Sequence, residues 1–326
     1  IELHTDNLEK YFTPRPKVNW PPLSAMSAHD TQLIGSGITT VLDAVALGDY
    51  RDGNRQENLD QFINTVAESQ KRGLTRAEHR IHLRCEVPHS TTVGLFERYV
   101  NMPEVQLVSL MDHAPGQRQF VNIDKYRTYY QGKYNMTDAE MAVYEKDQVA
   151  QSQRWSKQNR DEITRQCRGL NIPTASHDDA TSAHVTESKE LGMVIAEFPT
   201  TVEAAKRSHE LGLKVMMGAP NVIRGGSHSG NVAAHELASL CVLDILSSDY
   251  YPVSLLDAVF TLVNDERNNL DVAQAVQLAT LNPAQSLGLT DRGVIAEGKR
   301  ADLVLAHRLD DHQLVSRVWR EGKKVF

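Results

Sequence analysis

The feature that most limits how this chain can fold is a recurring pair of segments, a short apolar run followed by a stretch of helical spacing, separated by polar or Gly/Pro-containing loops. Apolar runs at 38–43, 81–86, 105–112, 172–177, 194–198, 214–218 and 242–249 read as buried parallel strands, because a strand covered on both faces does not alternate. Helical stretches fall near 55–72, 90–100, 137–168, 179–191, 201–211 and 228–240. If residues 2–6 end a further strand there are eight β-α units, which predicts an α/β fold of the (β/α)8 TIM-like type over a doubly wound sheet. No dinucleotide fingerprint or Walker motif argues for the second architecture. The barrel is expected over 1–284, with its first strand truncated and an insertion at about 120–168. Short strands at 301–306, 315–320 and 323–326 make 285–326 part of a small β domain, and Asn282-Pro283-Ala284 reads as the end of a helix.

In such barrels, chemistry sits at the C-terminal ends of the strands. Reading those ends in turn gives His4 and Asp6, Asp43, Glu86, Asp112 and His113, His177 with Asp178 and Asp179, Glu197 and Asp249. His4 and Asp6 are two apart on a strand, so both project to one face. Imidazole and carboxylate donors of this kind suit one or two divalent ions, zinc first, with Mn, Fe or Ni as alternatives. His4, Asp6, Glu86, His113 and His177 are the expected ligands. Asp249, following the run 242–246, is the expected base, placed to take a proton from a metal-activated water. Other residues have blander readings: His79, His209, His235, His307 and His312 as non-catalytic, His82 as a satisfied interior residue, and Asp43, Asp112 and Glu197 as helix caps or barrel salt bridges.

Two loops point to an anionic substrate. Arg118 lies in a Pro-Gly turn beside Gln117 and Gln119, and the Gly/Ser-rich run 221–231 carries Arg224 and His228 and is read as opening a helix. Arginine forks and backbone N–H groups at such places suit phosphate. The chain has 42 acidic against 35 basic residues, a formal net charge of −7, and no basic run. Nucleic acid and anionic membrane are therefore excluded as partners. With 40% hydrophobic residues and no apolar stretch approaching the roughly 20 of a membrane span, it reads as soluble. Three scattered cysteines fit a reducing, cytoplasmic compartment. A homo-oligomer is left open.

The run Ala279-Thr280-Leu281-Asn282-Pro283-Ala284, with Leu287-Gly288-Leu289, Asp291-Arg292-Gly293, Gly298-Lys299 and Ala301-Asp302-Leu303-Val304, resembles the C-terminal tail of the amidohydrolase superfamily. Within it, the segments 2–7, 113–120, 176–179 and 218–231 resemble the diphosphatase family of bacterial phosphonate utilisation. That resemblance covers essentially the whole chain. It implies hydrolysis of α-D-ribose 1-methylphosphonate 5-triphosphate to the 5-phosphate and pyrophosphate, with a metal centre at His4, Asp6, Glu86 and His177, His113 as an additional ligand, and Asp249 as base or ligand. The alternative is hydrolysis of a cyclic amide or N-acyl substrate on the same barrel. The chain departs from the superfamily pattern in having His-x-Asp after the first strand, Glu197 where a histidine is usual, and no evident carboxylated lysine, a role open to Glu86. In the superfamily the small domain takes strands from both ends of the chain, so a beginning at Ile1 is read as a missing half-domain.

Overall fold

The computed structural model describes residues 1–15, 17–48, 53–227, 230–310 and 312–326. Eight strands, β1 (Glu2–Thr5), β2 (Thr40–Leu47), β3 (Glu78–Glu86), β4 (Val105–Met111), β5 (Thr174–His177), β6 (Ile195–Glu197), β7 (Lys214–Gly218) and β8 (Ile245–Ser247), pair in parallel and in sequence order. The ring closes where Thr5 bridges Asp249, and the Asp249 N–H donates to the His4 carbonyl at 3.1 Å. The buried Glu2 carboxylate secures the same seam, accepting from the N–H groups of His4 (2.8 Å) and Ser248 (2.6 Å).

A single apolar layer plugs the barrel: Leu3, Leu42, Leu107, Ala175, Ile195, Met216 and Ile245, one from each strand but β3. On β3, His82 is buried at this level, with Nδ1 at 3.0 Å from the Leu3 carbonyl and Nε2 at 2.8 Å from the Ser109 hydroxyl. It is a satisfied interior side chain, as the alternation predicted, and burial pushes its pKa down to about 3, so it is neutral.

The outer layer comprises α1 (Leu8–Phe12), α2 (Pro22–Gly35), α3 (Gly53–Lys71), α4 (Thr92–Tyr99), α5 (Ile123–Tyr134), α6 (Asp138–Leu170), α7 (Ser182–Glu190), α8 (Val202–Glu210), α9 (Ala219–Ile223), α10 (Ala234–Ser239), α11 (Ser254–Val263), α12 (Val272–Gln277) and α13 (Leu281–Ser286). The helix α2 has no clean apolar stripe because its buried face carries His29 and Asp30 alongside Ala25, Met26, Leu33 and Ile34, which is why the sequence pattern passed over it. The last strand is shorter than its apolar run. Asp244 stands just before it, its carboxylate accepting from the Val215 N–H at 3.0 Å.

Two expectations are corrected here. Asn282-Pro283-Ala284 does not end a helix but opens α13, where a proline in the first turn loses no intrahelical bond. Asn282 donates to the Asp244 carbonyl at 2.7 Å and anchors that turn to the barrel. The 228–240 helix begins only at Ala234, because Asn221 holds the preceding loop extended by donating to Val232 O (3.2 Å) and accepting from Ala234 N (2.9 Å).

The strands β9 (Leu303–Leu309), β10 (His312–Arg320) and β11 (Lys323–Lys324) form an antiparallel sheet ordered β11-β10-β9. The tail motif clamps this part to the barrel: Arg292 donates to Glu78 (2.7 Å) and Thr40 (2.9 Å), and Arg300 also pairs with Glu78. Gly293, at φ +95°, has room for no side chain, since a Cβ would meet Leu281, Thr280 and Ala284 at 3.0–3.1 Å.

Outside the lumen, Asp43 lies between His29 Nε2 (2.7 Å) and His79 Nδ1 (2.7 Å), with Asp30 at 3.4 Å from His79 Nε2 and Asn7 on His29 Nδ1 at 3.1 Å. Every ring nitrogen in this buried group has a partner, so it is a structural network. Burial opposes the Asp43 charge, but the two imidazoles hold its pKa down at about 2. For His79 burial acts downward, and the aspartates outweigh it to give about 9. The Asp43 contribution is present above its ordinary 3.8 and lost as pH falls through about 2. The His79 contribution is full below 6.5 and lost as pH rises through about 9. Replacing Asp43 with Asn should therefore cost about 3–5 kcal/mol near pH 6, with the deficit narrowing toward pH 10. Urea denaturation at both values checks this, and a deficit independent of pH would refute it.

Candidate metal centre and active site

Three strand ends turn through left-handed backbone: Asp178 (φ +57°) directly after β5, Phe198 (φ +53°) directly after β6, and Asp249 (φ +55°) two residues after β8. Such φ values are uncommon for residues other than glycine and cluster at functional sites. Here they occur at the mouth of a cavity of about 320 Å³. Its walls include His4, Asp6, Glu86, His113, His177, Asp249 and Arg224, which the sequence singled out, together with Arg84, Asp178, Phe120, Tyr129, Tyr130 and Lys133.

Two groups of donors meet at His177. On one side, His4 Nδ1 lies 2.6 Å from Glu197 Oε1, leaving His4 Nε2 directed toward Asp249 Oδ1 at 4.0 Å. His177 pairs through Nδ1 with Asp178 Oδ2 at 2.8 Å, leaving its Nε2 at 3.9 Å from Glu197 Oε2. Both of those last two atoms are buried without a hydrogen-bond partner. An unsatisfied imidazole nitrogen facing an unsatisfied carboxylate oxygen, too far apart to bond and each backed by a carboxylate or imidazole, is the arrangement a divalent cation completes. Glu197 is fully buried. Burial disfavours its charge, but His4 foremost, with His177 beside it, holds its pKa far below the usual carboxylate range.

On the other side, His113 Nδ1 pairs closely with Glu86, and His113 Nε2 lies 3.4 Å from Asp178 Oδ2. Burial works against the His113 proton, but Glu86 and Asp178 raise its pKa to about 10, and Glu86 in turn is held at about 2. In this group the protein's own contacts are already made. Asp6 lines the wall nearby, and its charge helps to raise the pKa of Asp249, for which burial is the larger cause.

Arg118 is a correction to the expected phosphate contacts. Its guanidinium is buried, 3% exposed, in ion pairs with Asp179 and with Glu187 at 2.9 Å, and it does not line the cavity. The turn carrying it is a 3-10 segment (Arg118–Phe120) that instead places Phe120 on the wall. Arg224 stands exposed at the rim, and His228 lies outside the described residues. Among the residues passed over, Asp178 stood in view as the neighbour of His177. Glu197, expected as a helix cap or barrel salt bridge, pairs with His4 and keeps one oxygen free. Arg84 is legible only in the alternation His82-Leu83-Arg84-Cys85-Glu86, in which polar residues share one face of the strand.

Beyond Phe120 the insertion forms a roof. Tyr126, Tyr130, Tyr134 and Tyr144 of α5 and α6 pack as an aromatic cluster on Phe120, with Tyr129 and Tyr130 facing the cavity. The expected insertion is thus helical, and its aromatic core fixes the roof against the barrel.

Comparison with known proteins places this geometry. The chain is 65% identical over its whole length to the α-D-ribose 1-methylphosphonate 5-triphosphate diphosphatase of Escherichia coli, 86% of which it covers. The chain belongs to that diphosphatase family. The profile described as "Amidohydrolase family" matches residues 198–325. Among solved structures, the N-acetyl-D-glucosamine-6-phosphate deacetylase of Mycobacterium smegmatis superposes with a TM-score of 0.57 at 16% identity, covering 100% of this chain and 85% of that one. A Xanthomonas campestris adenosine deaminase with bound zinc gives a TM-score of 0.54 at 16% identity, covering 99% and 78%. These two establish the shared barrel architecture. Among the described residues no helix is long and apolar enough to cross a membrane.

Proposed function

We infer that this chain is a metal-dependent hydrolase that cleaves α-D-ribose 1-methylphosphonate 5-triphosphate to the 5-phosphate and pyrophosphate. The full-length 65% identity to a protein of that activity carries the reading. The cavity supports it, since orphaned His177 Nε2 and Glu197 Oε2 fit a divalent ion while Arg84, Lys133 and Arg224 on its wall suit an anionic substrate.

His4, His177 and Glu197 would hold the first ion, with Asp249 left free beside it as the base, and His113, Asp178 and Glu86 offer donors for a second, zinc being the best match to these nitrogen and oxygen donors. When bound, such an ion supplies Lewis acidity and lowers the pKa of water at neutral pH. The protein's own part is to position and to move a proton. Asp6, Glu86, Asp178 and Asp249 line the cavity with Glu197 buried behind it, so a bound cation together with Arg84, Lys133 and Arg224 on the wall would offset their repulsion of a polyanionic triphosphate. Asp249, half-buried at the rim with its pKa pushed up mainly by burial, accepts a proton from the attacking water and returns it to the leaving side. Arg224 and Lys133 stand on the wall where departing phosphate charge would lie. The buried thiols Cys85 and Cys167 accord with a reducing, cytoplasmic setting.

The test is direct. Zinc-loaded protein supplied with the ribose triphosphate should release one pyrophosphate per 5-phosphate formed. Release of inorganic phosphate instead, or activity confined to amides, would overturn the reading.

A further inference from the structure

Arg84 lines the cavity, and neither the metal cluster nor the fold explains it. It lies on β3 between His82 and Glu86, two residues from each, so all three project from the same face of the strand into the barrel. At its level the neighbouring strands provide no counter-charge: Arg84 registers with Ala46 on β2 and with Ser109 on β4. The Arg84 Nε is buried without a hydrogen-bond partner, and among the described residues the side chain makes no ion pair.

The other enclosed arginines show how unusual this is. Arg118 is held by Asp179 and Glu187, Arg160 by Asp112 and Glu187, Arg292 by Glu78 and Asp291, and Arg300 by Glu78 and Asp302. A guanidinium taken out of water costs several kcal/mol unless it is paired. The fold could have neutralised Arg84 as it neutralises the others. Instead it keeps the charge on the cavity wall, in the electrostatic field of His4, Glu86 and Asp249 and away from direct contact with the carboxylates. The small Ala46 side chain beside it also lines the cavity, leaving space where a longer one would fill it.

We propose that Arg84 is a substrate-contacting residue whose planar fork binds the phosphoryl oxygens of the scissile anhydride, and that it selects phosphoanhydrides over the neutral amides hydrolysed on related barrels. The proposal rests on the diphosphatase reading for its substrate. Two oxygens of one phosphoryl group match the paired donors of a guanidinium, a match an ammonium cannot reproduce. No bond is made or broken by Arg84. It holds the group in line with the attacking water and offsets the charge that gathers on the phosphoryl oxygens.

Two variants test this, Arg84→Met, which keeps length without charge, and Arg84→Lys, which keeps charge without the fork. Calorimetry with inorganic pyrophosphate on the zinc-loaded proteins should show at least tenfold weaker binding for Arg84→Met and an intermediate loss for Arg84→Lys. Zinc per chain should equal the wild type, and Tm should be unchanged or higher, because no carboxylate loses a partner. Pyrophosphate affinity within twofold of wild type in Arg84→Met, or loss of zinc in that variant, would overturn the assignment. Failure of the wild type to release pyrophosphate from the ribose triphosphate would sink the diphosphatase reading instead, and the calorimetric comparison separates the two.

Discussion

Glu197→Gln should leave the chain folded and strip it of its metal. The carboxylate is wholly buried, one oxygen on His4 Nδ1 at 2.6 Å and the other unsatisfied between the Nε2 atoms of His177 (3.9 Å) and His82 (4.0 Å). His82 is already satisfied by Leu3 and Ser109, so the free oxygen has only the His177 side to serve. An amide of the same shape removes a full negative charge from the place where a divalent cation would sit, and its NH2 group cannot replace both oxygens as an acceptor. Roughly 100-fold weaker metal affinity is expected, the upper end of what loss of a supporting carboxylate causes, with turnover falling in proportion to occupancy. Elemental analysis after dialysis against a zinc buffer, alongside circular dichroism to confirm the fold, measures it. Stoichiometric zinc with wild-type turnover in this variant would remove Glu197 from the centre.

The same residue shows where sequence reading stops. The barrel was legible because its signal is repeated: seven apolar runs and the helical stretches between them constrain one another, and each strand proved to lie on or beside its run. The strand-end rule likewise brought His4, Asp6, Glu86, His113, His177 and Asp249 to one cavity, since it depends only on strand direction. What could not be read was the use of a charge once buried. Glu197, Asp43 and Arg118 all read from the sequence as charged groups at loop or strand ends, yet one faces the candidate metal position, one lies in the middle of β2 and joins two histidines outside the lumen, and one is consumed by Asp179 and Glu187. Their roles are set by partners 14 to 193 residues away, which no local pattern contains. The helix α2 escaped notice for the same reason, as its inward His29 and Asp30 look like solvent-facing residues until Asp43 and His79 are placed beside them.

Asp249→Asn should lower kcat by about 10²–10⁴, the range associated with loss of a general acid-base group, while zinc content stays at the wild-type level. Asparagine is the informative replacement because residue 249 sits at φ +55°, a conformation Asn tolerates and most side chains do not. The main-chain bond from the residue 249 N–H to the His4 carbonyl, which closes the barrel, is then kept, and a loss of rate cannot be ascribed to an opened seam. The pH profile provides a second reading. Burial, with a smaller contribution from Asp6, raises the carboxyl pKa above its ordinary 3.8, so the protonated, inactive form of Asp249 persists to higher pH than that of an ordinary aspartate. The wild-type kcat/KM should accordingly rise with pH along an acid limb, and that limb should vanish in the Asn variant, which has no proton to lose. If the variant instead loses zinc and the remaining activity keeps the wild-type acid limb, Asp249 acts as a ligand, and the proton acceptor must be sought elsewhere on the wall, with Asp6 as the nearest candidate by charge.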